Sequence, residues 1–225
     1  MKKLILPLVL FLSFISYSQN SITKKVGDFT VLKVYNGIEV ELVKSDKQEL
    51  VITGEKAKKV VVKLNRNVLK LYLAFPEALA NGEAKIVLYY SKDIDVIDAN
   101  EGATITGKGF EQSKVEIKTQ ETAFINMVIK VKYLTVKAVS GGVIKLTGTT
   151  KNQNVEVQDA GVYHGYQLKA ENSSVVRAAI GGKAEVNVGD ALDAKINFGG
   201  TIFYKGKPEV LKTKKVLGGT IEAKN

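Results

Sequence analysis

Val176-Arg177-Ala178-Ala179-Ile180-Gly181-Gly182-Lys183-Ala184-Glu185-Val186 is answered, 18 residues later, by Ala194-Lys195-Ile196-Asn197-Phe198-Gly199-Gly200-Thr201-Ile202-Phe203-Tyr204. Each is an alternating run, a pair of small residues and a second alternating run. Alternation with period two is the pattern of a strand buried on one face, and paired glycines mark a turn between two such strands. The phrase recurs through the second half of the chain. Its last core position falls at Ile105, Ile125, Ile144, Tyr163, Ala184, Ile202 and Ile221, at intervals of 18 to 21 residues. Two places before each stand Ala103, Ala123, Gly142, Gly161, Gly182, Gly200 and Gly219, and immediately before those Gly102, Thr122, Gly141, Ala160, Gly181, Gly199 and Gly218. Eight places before the core position come Ile97, Ile117, Val136, Val155, Val176, Ala194 and Thr213, aliphatic in all but the last.

A fixed period near 20 residues, with one turn column and two apolar columns, is the mark of a solenoid whose repeats bury their apolar side only against neighbours. The expected fold is all-β, a parallel β-helix of seven stacked repeats over residues 93–225. At the usual strand spacing of about 4.8 Å the stack would be roughly 30 Å long. A β-sandwich of hairpins would also alternate strands and turns, but it does not require columns in register. Gly142, Gly161, Gly182, Gly200 and Gly219 are expected to be structural. A Cβ at these corners would crowd the neighbouring rung or oppose a bend at positive φ.

Working outward, residues 19–92 lack the repeat. Strands are expected at Phe29–Tyr35, Ile38–Val43, Leu50–Thr53, Val60–Leu64, Val68–Leu73 and Lys85–Tyr90, with turns at Asn36-Gly37 and Asn65-Arg66-Asn67. An open solenoid end would template aggregation, so this region is expected to be a strand meander capping the first coil. Residues 19–225 would then be a single domain.

The chain opens Met1-Lys2-Lys3, continues through an apolar run from Leu4 to Phe14 and reaches the small residues Ser16 and Ser18. This is the layout of a secretory signal peptide, expected to occupy residues 1–18. The run is too short to span a bilayer, and no later segment would span one as a helix. Export with no cysteine in 225 residues leaves burial and backbone hydrogen bonding to supply stability. A periplasmic, outer-membrane-associated or secreted location is expected. The formal charge of +10 falls by two, to +8, when Lys2 and Lys3 leave with the signal. Such a surface is drawn to acidic polysaccharides or anionic envelope components, and a protein partner stays open. No motif supports nucleic-acid binding.

The run Phe198-Gly199-Gly200-Thr201-Ile202-Phe203-Tyr204-Lys205-Gly206-Lys207-Pro208, followed by Leu217-Gly218-Gly219-Thr220-Ile221, resembles the head GIN domain family of putative autotransporter adhesins, found in exported proteins of Bacteroidota. Gly37-Ile38-Glu39-Val40-Glu41-Leu42 carries the resemblance at the other end, so it spans about Val26 to Ala223. It implies a β-helical fold and an adhesive or surface role, with no catalytic residues to transfer.

Catalytic chemistry finds little support. The sole His164 has no nucleophile motif beside it and falls on the outward parity. Asp93, Asp95, Asp98 and Glu101, with Asp190 and Asp193 farther on, could serve glycan cleavage or simply solvate coil edges. One histidine and no cysteine leave no soft metal site, and no cofactor fingerprint occurs, so neither a metal nor a cofactor is expected. Tyr163, Tyr166, Phe203 and Tyr204 divide between core filling and a sugar-stacking surface. The most regular outward feature lies one place after the aliphatic column: Asp98, Lys118, Lys137, Glu156, Arg177, Lys195 and Lys214. Lys118, Lys137, Arg177, Lys195 and Lys214 would form a basic stripe suited to a polyanion, or serve only to keep a flat β face soluble. The expectation is a non-catalytic binding module, with a structural protein acting through protein contacts as the alternative.

Overall fold

The computed structural model describes residues 21–224, so the signal-peptide expectation lies outside the described residues. The chain begins with β1 (Ile22–Lys25), β2 (Val31–Val34), β3 (Glu39–Lys44), β4 (Glu49–Thr53), β5 (Val60–Asn65), β6 (Val68–Leu73) and β7 (Lys85–Tyr90). It continues with β8 (Val96–Ala99), β9 (Thr104–Thr119), β10 (Phe124–Ala138), β11 (Val143–Val157) and β12 (Val162–Ala179). Last come β13 (Lys183–Val188), β14 (Ala191–Asn197), β15 (Thr201–Lys205), β16 (Val210–Lys215) and β17 (Thr220–Ala223). Among the described residues there is no α-helix, only one 3₁₀ turn at Ala57–Lys59, and all the strands join one hydrogen-bonded sheet.

From β8 onward every pairing is parallel, and the sequence columns are the sheet register. Ile105, Ile125, Ile144, Tyr163, Ala184, Ile202 and Ile221 stand above one another, as do Ile97, Ile117, Val136, Val155, Val176, Ala194 and Thr213. Both columns are buried until the last rung. The protein is therefore a parallel β-solenoid, and a sandwich is excluded. Long strands wrap the core by slipping phase. In β10 burial alternates until Lys132 and Tyr133, which are both exposed, and resumes with opposite parity at Leu134.

The sharp corner of each rung takes two successive residues at positive φ: Glu101 and Gly102, Glu121 and Thr122, Ser140 and Gly141, Asp159 and Ala160, Ile180 and Gly181, Phe198 and Gly199. Across rungs these corners form a ladder, in which Gly102 N donates to Glu121 O at 2.9 Å and Gly141 N to Asp159 O at 2.9 Å. Stacking holds even Thr122 and Ala160 in a conformation that costs a non-glycine residue roughly 1–2 kcal/mol.

The N-terminal region is more than a meander. β2 lies between β6 and β8, parallel to both, and β3 lies between β7 and β9 in the same sense. Asn36-Gly37 is the expected turn, at φ of 57° and 69°, and it forms another solenoid corner, with Gly37 N donating to Glu101 O at 2.9 Å. After β3 the chain runs to the far side of its own first rung, lays down β6 and β7 there, and crosses back to start β8. Covering the end falls to the strands that reverse direction: β5 is antiparallel to β6, β4 to β7 and β1 to β4. They bury Leu50, Ile52 and Val60 over the end of the core.

Candidate functional site

The candidate site is the outward face of the rung halves that precede the sharp corner. Its central column begins earlier than the repeats do. Lys70 pairs with Lys33 and Lys33 with Asp98, after which Lys118, Lys137, Glu156, Arg177, Lys195 and Lys214 follow in unbroken register. Strand alternation turns this column outward because Leu32, Ile97, Ile117 and their counterparts, one residue before, face the core.

The cations of this column are not uniformly free. Asp98, nearly buried, accepts from Lys33 Nζ at 3.1 Å and faces Lys118 Nζ at 3.9 Å. Lys137 is held by Glu116 at 2.9 Å, and Arg177 grips both carboxylate oxygens of Asp193 at 3.0 and 3.1 Å. Burial works against the charged form of Lys33, but the hydrogen bond and charge of Asp98 outweigh it and raise the lysine above its ordinary value. Among the described residues Lys70 at one end, and Lys195 and Lys214 at the other, have no carboxylate within 4.0 Å. The free positive charge of the face therefore lies at its two ends.

At the N-terminal end the face carries an open-sided cavity of about 460 Å³, lined by Tyr35, Lys63, Asn65, Lys70, Tyr72 and Glu101 together with Asn36. β5 folds back beside β6 and sets Lys63 directly opposite Lys70, while Tyr72 stands beside Tyr35 two places along. Asn36 is fixed from both sides: its Oδ1 accepts from Leu73 N–H at 3.1 Å and its Nδ2 donates to Glu101. Partial burial raises the Tyr35 hydroxyl above its ordinary value and keeps it a neutral donor and acceptor. Sequence reasoning missed this group. The signal was present, because Leu32 to Val40 restates Ile97 to Ile105 at an offset of 65 residues, but β4 to β7 break the period between them.

The turn glycines divide in two. Gly142, Gly161 and Gly182 have ordinary φ, and a Cβ on Gly182 would lie 2.4 Å from Val157 O in the preceding rung. Gly200 and Gly219 combine close neighbours with φ of 144° and 95°. Ala103 and Ala123 fill the same column where the first corners leave room for a methyl group.

The carboxylates grouped by sequence do not converge. Asp93 faces Lys44 and Asp95 faces Lys114, Asp98 lies in its lysine pair and Glu101 is tied to Asn36. Asp193 is held by Arg177 and stands apart from Asp190 on the loop before β14. Among the described residues no group of three His, Cys, Asp or Glu side chains could hold a metal ion. His164 faces outward, with Nδ1 2.8 Å from Glu185. Tyr163 is core, its hydroxyl donating to Gln153, and burial drives that hydroxyl far above its ordinary value. Tyr166 and Phe203 are covered by lysines, Lys205 at 4.8 Å from the first ring and Lys224 at 4.5 Å from the second, and Tyr204 packs against the core. They form no open aromatic row.

Comparison with known proteins is consistent with this architecture. The family described as putative auto-transporter adhesin, head GIN domain, matches residues 28–208. A putative adhesin from Bacteroides fragilis superposes with a TM-score of 0.82 at 19% identity, over 93% of this chain and 98% of its own. A putative lipid binding protein from Parabacteroides distasonis gives 0.69 at 20% identity, and a putative adhesin from Parabacteroides merdae 0.62 at 17%, with the same shares covered. At such identities the likeness is one of fold. No curated protein matches the chain.

Proposed function

Because the chain belongs to the head GIN domain family of putative auto-transporter adhesins, we propose that it is a non-catalytic module of the cell envelope or surface that binds acidic glycan or another polyanionic envelope component along its charged β face. The observation that carries this is the single register from Lys70 to Lys214, with unneutralised lysines at both ends. Rungs stacked at about 4.8 Å spacing set these free cations at the two ends of one β face, where a long polyanion lying along the column would meet both. The sequence pattern of residues 1–18 supports export. Among the described residues no helix is long and apolar enough to cross a membrane.

The test is binding of the mature protein to immobilised polygalacturonate and heparin at low and high salt. Exchanging Lys118, Lys137, Lys195 and Lys214 for Glu should abolish a salt-sensitive interaction. Binding that ignores both salt and these exchanges would overturn the proposal. An alternative, assembly through a protein contact, is favoured by β16 and β17, which among the described residues are each paired on one side only. Cross-linking in intact cells, with no glycan retained by the pure protein, would select it.

A further inference from the structure

We infer that the cavity between β5, β6 and the first solenoid corner is a binding site for one sugar unit carrying a carboxylate or phosphate group. This deepens the acidic-glycan proposal and rests on it.

The lysines are the first argument. Every other basic side chain of the central column from Lys33 to Arg177 is matched to a carboxylate, while Lys63 and Lys70 face each other across an antiparallel ladder with no carboxylate within 4.0 Å among the described residues. Like charges directly opposite one another weaken a sheet. Asp98 sharpens the effect by drawing the neighbouring Lys33 to itself, which leaves two free cations side by side at the mouth of a cavity. A bound anion would relieve that repulsion.

The rings are the second. Tyr35, one place beyond β2, and Tyr72 on β6 are half-buried and stand two residues along from Lys33 and Lys70, so apolar faces adjoin the cations. A sugar needs this combination: C–H faces against a ring, and hydroxyls against fixed polar groups. Glu101 and Asn65 supply acceptors, and Asn36 is held in place before any ligand arrives, so little ordering is needed on binding. The cavity, at about 460 Å³, falls in the range of small-molecule sites and is too small for more than about one or two sugar rings. At the other free end Lys195 and Lys214 lie on plain strand.

The experiment is calorimetry on the mature chain with trigalacturonate, galactose 1-phosphate and neutral galactotriose. At least one of the two acidic ligands should bind and galactotriose should not. Lys63→Glu with Lys70→Glu should weaken binding at least about tenfold, as expected for losing charge-assisted hydrogen bonds. Tyr72→Ala should weaken it by about three- to tenfold and Tyr72→Phe far less. Lys195→Glu with Lys214→Glu should leave the short ligands unaffected while weakening long polygalacturonate. Melting temperatures within a few degrees of the parent show that the variants fold. Polymer binding that depends on Lys195 and Lys214, with no short acidic ligand bound, overturns the cavity site alone. Loss of polymer binding in the parent overturns the face as well, and equal binding of galactotriose overturns the requirement for an anion.

Discussion

The two ends of the solenoid are built from the same rung and finished differently. At the N-terminal end β4 and β5 run against the direction of the stack, and Leu50, Ile52 and Val60 are sealed beneath them. At the C-terminal end β16 is exposed along its whole length, and Val210, Leu211, Val216 and Leu217 are each about half exposed. A parallel repeat cannot close itself, because each rung presents to the next the same unpaired edge that it covered on the last. Closure required leaving the repeat and reversing the strand. The same reversal places Lys63 beside Lys70 and creates the cavity. Lys212, Lys214 and Lys215 on β16 guard that end by charge instead.

Breaking a corner in the middle of the stack should have the largest effect. Gly182→Val forces a branched side chain against Val157 O and should cost about 4 kcal/mol or more, read by denaturant unfolding. The same exchange in the last corner, Gly219→Val, should cost clearly less despite Gly200 O at 2.7 Å from the added Cβ, because the final rung can swing away. Equal losses would show that the last rung is as tightly held as the middle.

Next come the ends themselves. Ile52→Ala in the cap removes fully buried methyl groups and should cost about 2–5 kcal/mol, whereas Leu211→Ala on the open strand should stay within about 0.5 kcal/mol. Asp98→Asn, where the face passes from the closed end into the repeats, should cost about 1–2 kcal/mol. Lys33 and Lys118 are each about a third exposed and can turn to water, so the loss falls short of that for a fully buried pair.

The smallest effect is one of pH. Burial raises the Glu185 carboxyl, but hydrogen bonds from Lys183 and His164 outweigh it and hold the group below its ordinary value. A lowered carboxylate contributes stability above its unfolded value, about 4.3, and loses it as pH falls through the folded value. The stability difference between the parent and Glu185→Gln should therefore shrink from pH 5 to pH 3, measured as the difference in melting temperature.

Much of the fold was legible because its period is short and local. Ile97 and Ile117 are neighbours in space and 20 residues apart in the chain, so register could be read by counting. The rung of β2 and β3 obeys the same pattern, but its partners are β8 and β9, beyond a long excursion, and counting fails across the break. The candidate face was half legible. Its outward column followed from alternation, but which lysines are free did not, because Glu116 reaches Lys137 and Asp193 reaches Arg177 from neighbouring rungs.

By itself the sequence determined the rung: strand alternation, a corner of small residues and a column of outward charge, all set by side-chain parity and positive-φ tolerance within some 20 residues. Only the tertiary structure decided that β6 and β7 stack outside β2 and β3, that reversed strands close one end, and that Tyr35, Lys63, Lys70 and Tyr72 meet around a cavity. Strand order and direction are chosen by burial between distant segments, and no local pattern encodes which edge a strand will find.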